Sequence, residues 1–298
     1  MVASISPSHI GPGPGVVKGA YVDTAEGQLH YYYTLPSTTF GSSSGSDSDS
    51  DGSPHPPILL LHMSASSSRC FHSMMVRLAA LGYRCYAPDM PGFGSSFDPS
   101  SNPPAIAWYA DLYYETFSPW AEFQHGCHII GHHSGGVLGS DLAAKHHDFV
   151  RSLTFVGPGV MDAAARQEMS KTFLAPFNRP VASGEHLTKT WDYLMWEGIL
   201  ATHLELLQRE AIDHIRAWKG RSQIYSCVWA YDVGESIKKT SPSCKILALC
   251  ARDDVLWPYF DAVKGLGREI ITHEIRGGNF GPDLDPEGVL KYFVESML

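Results

Sequence analysis

The stretch Gly131-His132-His133-Ser134-Gly135-Gly136 decides how the rest of this chain is interpreted. It follows the apolar segment His128-Ile129-Ile130, which has strand character, and it opens a helical pattern that runs to residue 146. Glycines placed two residues before and two residues after one side chain are typical of a tight strand-to-helix turn that exposes that side chain. With Gly131 and Gly135 as the framing glycines, the exposed residue is His133.

The composition is that of an ordinary globular protein with a sizeable core. The 298 residues are 44% hydrophobic and 18% charged, and the formal net charge is -9 at pH 7. This acidic balance argues against a nucleic acid or an anionic membrane as a partner. No apolar stretch approaches the ~20 residues of a membrane-spanning helix, and residues 1–17 lack the apolar region of a secretory signal. We therefore expect a cytoplasmic protein.

Strand and helix patterns alternate along most of the chain. The continuous apolar run Ile58–Leu61 is typical of a central parallel strand covered on both faces, and a helical pattern follows it as far as Gly82. Further strands are predicted at 83–87, 128–130, 153–156, 245–249 and 269–275, and a final helix at 286–297. This alternation predicts an α/β fold with a doubly wound, mostly parallel sheet.

Three segments depart from the alternation. Residues 1–18 are predicted to form a flexible N-terminal arm, and residues 41–54, which are rich in serine, glycine and aspartate, a polar low-complexity loop. Residues 159–240 carry long helical patterns with many aromatic side chains, which predicts an inserted helical cap. The core then comprises residues 19–158 and 241–298.

The motifs, in their order along the chain, resemble those of the α/β-hydrolase family over nearly the whole sequence. Leu60-Leu61-His62 is similar to the strand end that precedes the family's oxyanion-hole loop, and residues 88–94 are similar to its D-x-P-G-x-G loop. The turn at His133 looks like the nucleophile elbow, and Asp254 looks like the acid of the catalytic triad. The resemblance implies an α/β-hydrolase fold with an inserted cap.

Two site positions depart from the family pattern. His133 stands where the nucleophile is expected, and Asn279 in Gly277-Gly278-Asn279-Phe280 stands where the triad histidine is expected. A one-residue shift would make Ser134 the nucleophile, but that serine would lack its histidine base. It would also put the bulky His132 where the turn demands a small residue. We therefore favour the unshifted register, which excludes the usual serine triad.

The two departures compensate each other in size. Asn279 is predicted to accept an N–H from His133 and to donate to Asp254, which would turn the second ring nitrogen of His133 into the pocket. The predicted catalytic residues are therefore His133, Asp254 and Asn279, with His133 as general base or acid.

The remaining site predictions concern binding. The resemblance implies an oxyanion hole made of the backbone amides of Ser134 and of Ser64 or Met63. Substrate contacts are predicted at His62, Trp257 and Phe280. We expect no metal, because adjacent histidines at a strand end point in different directions, and no cofactor.

These features predict a cofactor-free enzyme that uses His133 for general acid–base chemistry on a small apolar carbonyl compound. Cyclase, isomerase or lyase chemistry, as in natural-product biosynthesis, fits an oxyanion hole beside a histidine base. Two alternatives stay open: a hydrolase of an ester, lactone or epoxide with a non-serine mechanism, and a non-catalytic ligand-binding module. The predicted partner is a small molecule, and the sequence leaves the oligomeric state open.

Overall fold

The computed structural model describes residues 16–36, 55–196 and 198–298. The predicted N-terminal arm lies outside the described residues except for its last three positions. The predicted polar loop at 41–54 lies outside them entirely.

One sheet forms the centre of the described structure. Its strands are β1 (Lys18–Asp23), β2 (Gln28–Thr34), β3 (Ile58–Leu61), β4 (Cys85–Pro88), β5 (Cys127–His132), β6 (Val150–Val156), β7 (Lys245–Ala251) and β8 (Ile271–Ile275). Their spatial order is β1-β2-β4-β3-β5-β6-β7-β8. The pairs β1/β2 and β2/β4 are antiparallel, and the pairs from β4 to β8 are parallel. The prediction of a mostly parallel, doubly wound sheet is confirmed.

Helices cover both faces of this sheet. They are α1 (His72–Ala80), α2 (Ile106–Phe117), α3 (Ser134–Lys145), α4 (Ala163–Phe173), α5 (Glu185–Met195), α6 (Leu204–Arg216), α7 (Trp218–Ala230), α8 (Val233–Lys239), α9 (Gly281–Leu284) and α10 (Pro286–Met297). Helices α4 to α8 fall between β6 and β7, in the region where the sequence predicts the cap. Among the described helices, none combines the length and the apolarity needed to cross a bilayer.

The burial of strand β3 explains why its sequence is apolar throughout. All four of its residues are fully buried. Leu59 and Leu61 pack in the apolar cluster that includes α2 and α3, whereas Ile58 and Leu60 pack on the other side with α1 and α10. Burying one such side chain contributes about 1.5–3 kcal/mol. A strand covered on both faces has no position at which a polar residue would reach water. The packing on both faces also holds the carboxyl end of β3 beside that of β5.

Candidate active site

His133 occupies the turn between β5 and α3. Its backbone has φ 47° and ψ -112°, a region that L-residues rarely adopt. Among the described non-glycine residues, only Ala65 shares a positive φ. Ser134 is already the first residue of α3. The structure therefore has the unshifted register, in which the exposed position of the turn belongs to His133.

Two glycines make this sharp turn sterically feasible. A methyl group on Gly131 would lie 2.5 Å from the Cα of Gly136. A methyl group on Gly135 would overlap the carbonyl of Leu61 at the end of β3. The start of α3 thus packs directly against the neighbouring strand, which sets the direction in which the His133 side chain leaves the turn.

The imidazole of His133 is bonded directly to a buried carboxylate. Its Nε2 lies 2.9 Å from Oδ2 of Asp254, and the Asp254 side chain is only 1% exposed. The other oxygen, Oδ1, accepts the backbone N–H of Leu256 at 2.7 Å. Because an ionised carboxylate can only accept, Nε2 carries the ring proton and Nδ1 carries the lone pair of the neutral ring.

A glycine just after β6 provides the space for this ring. Gly157 has φ 72°, and a methyl group there would overlap Cδ2 of His133 and lie 2.5 Å from its Nε2. The edge of the ring that carries Cδ2 and Nε2 therefore faces Gly157. Nδ1 lies on the opposite side of the ring, away from this glycine.

The predicted relay through Asn279 is wrong, because His133 reaches Asp254 without an intermediate. The Oδ1 atom of Asn279 accepts the backbone N–H of Val255 at 3.0 Å. Next to it, Oδ1 of Asp253 accepts the N–H of Gly278 at 3.1 Å. Asn279 thus ties the loop after β8 to the turn that presents the acid, and so helps to position Asp254.

The predicted oxyanion hole is also altered. The backbone N–H of Ser64 donates to Oγ of Ser134 at 2.6 Å, so this amide is not free to bind a substrate oxygen. The Ser134 hydroxyl lines the cleft and keeps its own hydrogen for donation. The Ser134 amide belongs to the first turn of α3, where N–H groups have no partner within the helix.

A cleft opens above the elbow. Its floor is made of Met63, Ser64, His133 and Ser134, and a second lobe adds Asn279 and Phe280. The remaining walls are largely apolar and aromatic: Val137, Met161, Met169, Phe173, Tyr193, Leu194, Trp196, Tyr225, Val228, Trp229, Val233, Val255 and Leu256. The arrangement exposes part of the imidazole to a mostly apolar pocket.

Residues 58–291 match the sequence model of the family described as "Alpha/beta hydrolase family". The chain belongs to the alpha/beta hydrolase family. The matched range contains the elbow, the acid turn and Asn279, so the departures at His133 and Asn279 occur within the family's own framework.

The match between this alpha/beta hydrolase and its curated relatives covers only part of the length of each relative. The pimeloyl-[acyl-carrier protein] methyl ester esterase of Aeromonas hydrophila is 27% identical over 165 residues, which is 55% of this chain and 60% of the esterase. Haloalkane dehalogenase 1 of Mycobacterium tuberculosis is 34% identical over 112 residues, which is 37% of this chain and 36% of the dehalogenase. The chain therefore spans between about a third and 60% of these relatives, both of which are named as hydrolytic enzymes.

Solved structures share the fold of this alpha/beta hydrolase over nearly the whole chain. The enol-lactonase from Burkholderia xenovorans superposes with a TM-score of 0.70 and 14% identity, covering 93% of this chain and 98% of that one. A thermophilic esterase from Thermogutta terrifontis superposes with a TM-score of 0.70 and 15% identity, covering 93% and 97%. At this identity the likeness shows the fold alone.

Two predicted substrate contacts lie outside the walls of the cleft. His62 is fully buried, its Nδ1 donates to the carbonyl of Met63 at 2.7 Å, and its Nε2 accepts the N–H of Met90 at 2.8 Å. Burial lowers the pKa of His62, which keeps the ring neutral as these two bonds require. Trp257 packs against Phe260, with ring centroids 5.3 Å apart. His62 and Trp257 are therefore not among the residues that line this cleft, whereas Phe280 lines it.

The neighbouring His132 points into the protein rather than into the cleft. It is 1% exposed, and burial lowers its pKa well below the ordinary value. In the part of the chain that the structure describes, no group of three or more His, Cys, Asp or Glu side chains is arranged to hold a metal ion.

The residues that α4 and α7 contribute to the cleft were not among the predicted site residues. Arg166 and Phe173 come from α4, and Tyr225 and Trp229 come from α7. The abundance of aromatic residues in the region 159–240 was the available signal. It could not indicate which faces of these helices turn toward the elbow.

Proposed function

We propose that this chain is an enzyme in which His133, rather than a serine, performs general acid–base catalysis on a small apolar carbonyl compound. The observation that carries the proposal is the direct hydrogen bond between His133 Nε2 and Asp254 Oδ2. It holds the ring at the nucleophile position with the lone pair on Nδ1. The helical region 159–240 would serve as the cap, since α4 and α7 supply walls of the cleft.

Proton abstraction next to the carbonyl is the reaction that this arrangement supports best. Nδ1 of His133 takes a proton from the adjacent carbon, and the electron pair of the broken C–H bond moves onto the carbonyl oxygen. Asp254 stabilises the imidazolium that forms. The enolate oxygen accepts a hydrogen bond from the Ser134 hydroxyl, which is itself polarised by the N–H of Ser64.

The fate of the enolate then defines the reaction. Return of the proton to a different carbon gives isomerisation. Loss of a leaving group, which takes the proton, gives elimination. Attack on a second carbonyl carbon closes a ring, and the electron pair of that C=O bond moves onto its oxygen, which takes the proton. In each case His133 returns the proton that it took, so the enzyme ends in its starting state and needs no external oxidant or reductant.

Hydrolysis is the second candidate, and the names of the relatives favour it. In this mechanism Nδ1 of His133 takes a proton from water, and the resulting hydroxide attacks the carbonyl of an ester or lactone or the carbon of an epoxide. The C–O bond of the substrate breaks, and the imidazolium of His133 gives its proton to the departing oxygen. The loss of the Ser64 amide as a free oxyanion donor weighs against it for acyl substrates, since one of the two usual donors is already bound to Ser134. A purely ligand-binding role is weaker, because a strained elbow costs on the order of 1–3 kcal/mol without benefit to binding.

The experiment is a screen of small ketones, lactones and esters in D₂O, followed by ¹H NMR. The proposal expects deuterium incorporation next to the carbonyl or substrate turnover, and a loss of roughly 10²- to 10⁴-fold in His133→Ala. Ser134→Ala should retain the exchange at a reduced rate. Full activity in His133→Ala, or a fluorophosphonate adduct on Ser134, would overturn the proposal.

A further inference from the structure

The cleft contains one guanidinium among its apolar walls. Arg166 lies on α4, and its side chain is 14% exposed. Its Nη1 donates to the carbonyl of Met161 at 2.7 Å and to Oδ2 of Asp232 at 3.0 Å. These two acceptors hold the guanidinium plane in a fixed orientation beside the pocket.

Three of the five N–H groups of this guanidinium, those on Nε and Nη2, have no acceptor among the described residues. The neighbouring indole of Trp229 also lines the cleft, and its Nε1 has no partner in the described structure. The unpaired N–H of Trp229 is buried, which costs free energy in the absence of an acceptor, whereas the unpaired N–H groups of Arg166 remain available to an acceptor in the cleft.

The negative partner of Arg166 offsets only part of its charge inside the pocket. Asp232 is 43% exposed, and its Oδ1 caps α8 by accepting the N–H of Glu235 at 3.0 Å. Its charge is therefore shared with a helix N-terminus and screened by solvent. The guanidinium, by contrast, faces a region of low polarity, where its attraction to an opposite charge is strongest.

We propose that Arg166 anchors a carboxylate of the ligand, so that the substrate is an apolar carbonyl compound with an anionic end. This inference rests on the proposed function, whose catalytic group lies on the floor of the same cleft. Arg166 would bind the carboxylate while the apolar body fills the space lined by Met169, Phe173 and Trp229. The residue then selects substrates by charge and sets which carbon meets His133.

Equilibrium binding of two isosteric probes tests the anchor without any turnover. Octanoate and octanamide have the same apolar chain, and only octanoate carries a charge. Isothermal titration should show octanoate binding roughly ten- to a hundredfold more tightly, which is the range for hydrogen bonds to charged groups. Arg166→Met keeps the apolar stem and should abolish this preference, whereas Arg166→Lys should retain part of it.

Further variants test the anchor even if Arg166→Met does not fold. Asp232→Asn keeps a good helix-capping residue and removes the competing charge, so it should tighten octanoate severalfold. Arg77→Met removes a surface arginine of α1, which pairs with Glu287 outside the cleft, and should leave the preference unchanged. His133→Ala should also keep the preference, which separates failure of the catalytic proposal from failure of the anchor.

The proposal is overturned if the wild-type protein does not prefer octanoate over octanamide. It is also overturned if folded Arg166→Met keeps the preference or if Asp232→Asn binds octanoate no better than the wild type.

Discussion

Nε2 of His133 and Oδ2 of Asp254 lie 2.9 Å apart, although 121 residues separate them along the chain. In the alpha/beta hydrolase family the acid is expected to pair with a histidine from the loop after the last strand. Here the histidine comes from the elbow itself. One side chain therefore occupies the position of the family's nucleophile and is hydrogen-bonded to the carboxylate at the position of the family's acid.

Asp254→Asn should reverse the tautomer of His133. If the new side chain keeps its oxygen toward the N–H of Leu256, its amide nitrogen faces Nε2 and donates to it. The proton then moves to Nδ1, and the lone pair no longer faces the substrate. We expect turnover to fall roughly 10³- to 10⁴-fold, and ¹⁵N NMR of the imidazole should show protonation at Nδ1.

The matched control is Asp253→Asn, one residue earlier. Asp253 accepts the N–H of Gly278, and an asparagine oxygen can still do so. This variant should keep both the activity and the tautomer. Retention of the wild-type tautomer in Asp254→Asn would contradict the hydrogen-bond assignment.

Gly157→Ala should displace the imidazole from Asp254. The added methyl overlaps Cδ2 and approaches Nε2 to 2.5 Å, so the ring must rotate away and lose its hydrogen bond. Activity should fall as far as in Asp254→Asn. Gly267→Ala is the control, because it has nearly the same φ of 74° but no neighbouring atom within 4 Å. Equal losses in the two variants would mean that backbone strain, not collision with His133, is responsible.

Glu210→Gln should remove a pH dependence of stability. Glu210 is fully buried on α6, and its Oε1 accepts from Ser66 Oγ and Arg209 Nη2. Burial raises its pKa from 4.5 to about 7, against the opposing effect of Arg209. The folded state therefore binds this proton more tightly than the unfolded chain, and the free energy of unfolding falls as pH rises from about 4.5 to 7, by up to about 3 kcal/mol.

Urea unfolding at pH 4.5 and pH 7.5 measures this effect. The wild-type protein should lose more stability between the two values than Glu210→Gln, which is neutral throughout. Glu205→Gln, an exposed position on the same helix, should behave like the wild type. Parallel pH profiles for the wild type and Glu210→Gln would refute the prediction.

The double variant His133→Ser with Asn279→His should rebuild a serine triad. Serine would then occupy the strained elbow, and a histidine would stand in the loop that Asn279 already ties to the acid turn. We expect labelling by a fluorophosphonate and hydrolysis of p-nitrophenyl acetate at least about tenfold faster than in His133→Ser alone, because a serine without a base is a poor nucleophile. Equal labelling of the single and double variants would show that position 279 does not supply the base.

Much of the sheet could be predicted from local patterns. Strand β3 and helix α10 match their predicted ranges closely, since a continuous apolar run and a well-placed proline act over a few residues. The ends of other strands differ. β5 extends from Cys127 to His132 because its hydrogen bonds are set by pairing with β3 and β6, which lie far away in the sequence.

The sequence by itself determined the alpha/beta hydrolase fold and the placement of His133 in the elbow, and it indicated Asp254 as the acid of the site. Glycine spacing and motif order are local properties, so they are visible in a single chain. The direct His133–Asp254 bond, the Ser64–Ser134 contact and the position of Arg166 in the cleft were decided only by the tertiary structure. Each depends on whether a side chain from one segment reaches a group on another segment. That distance is set by packing between segments that are remote in sequence, for example by the space that Gly157 leaves for the ring of His133.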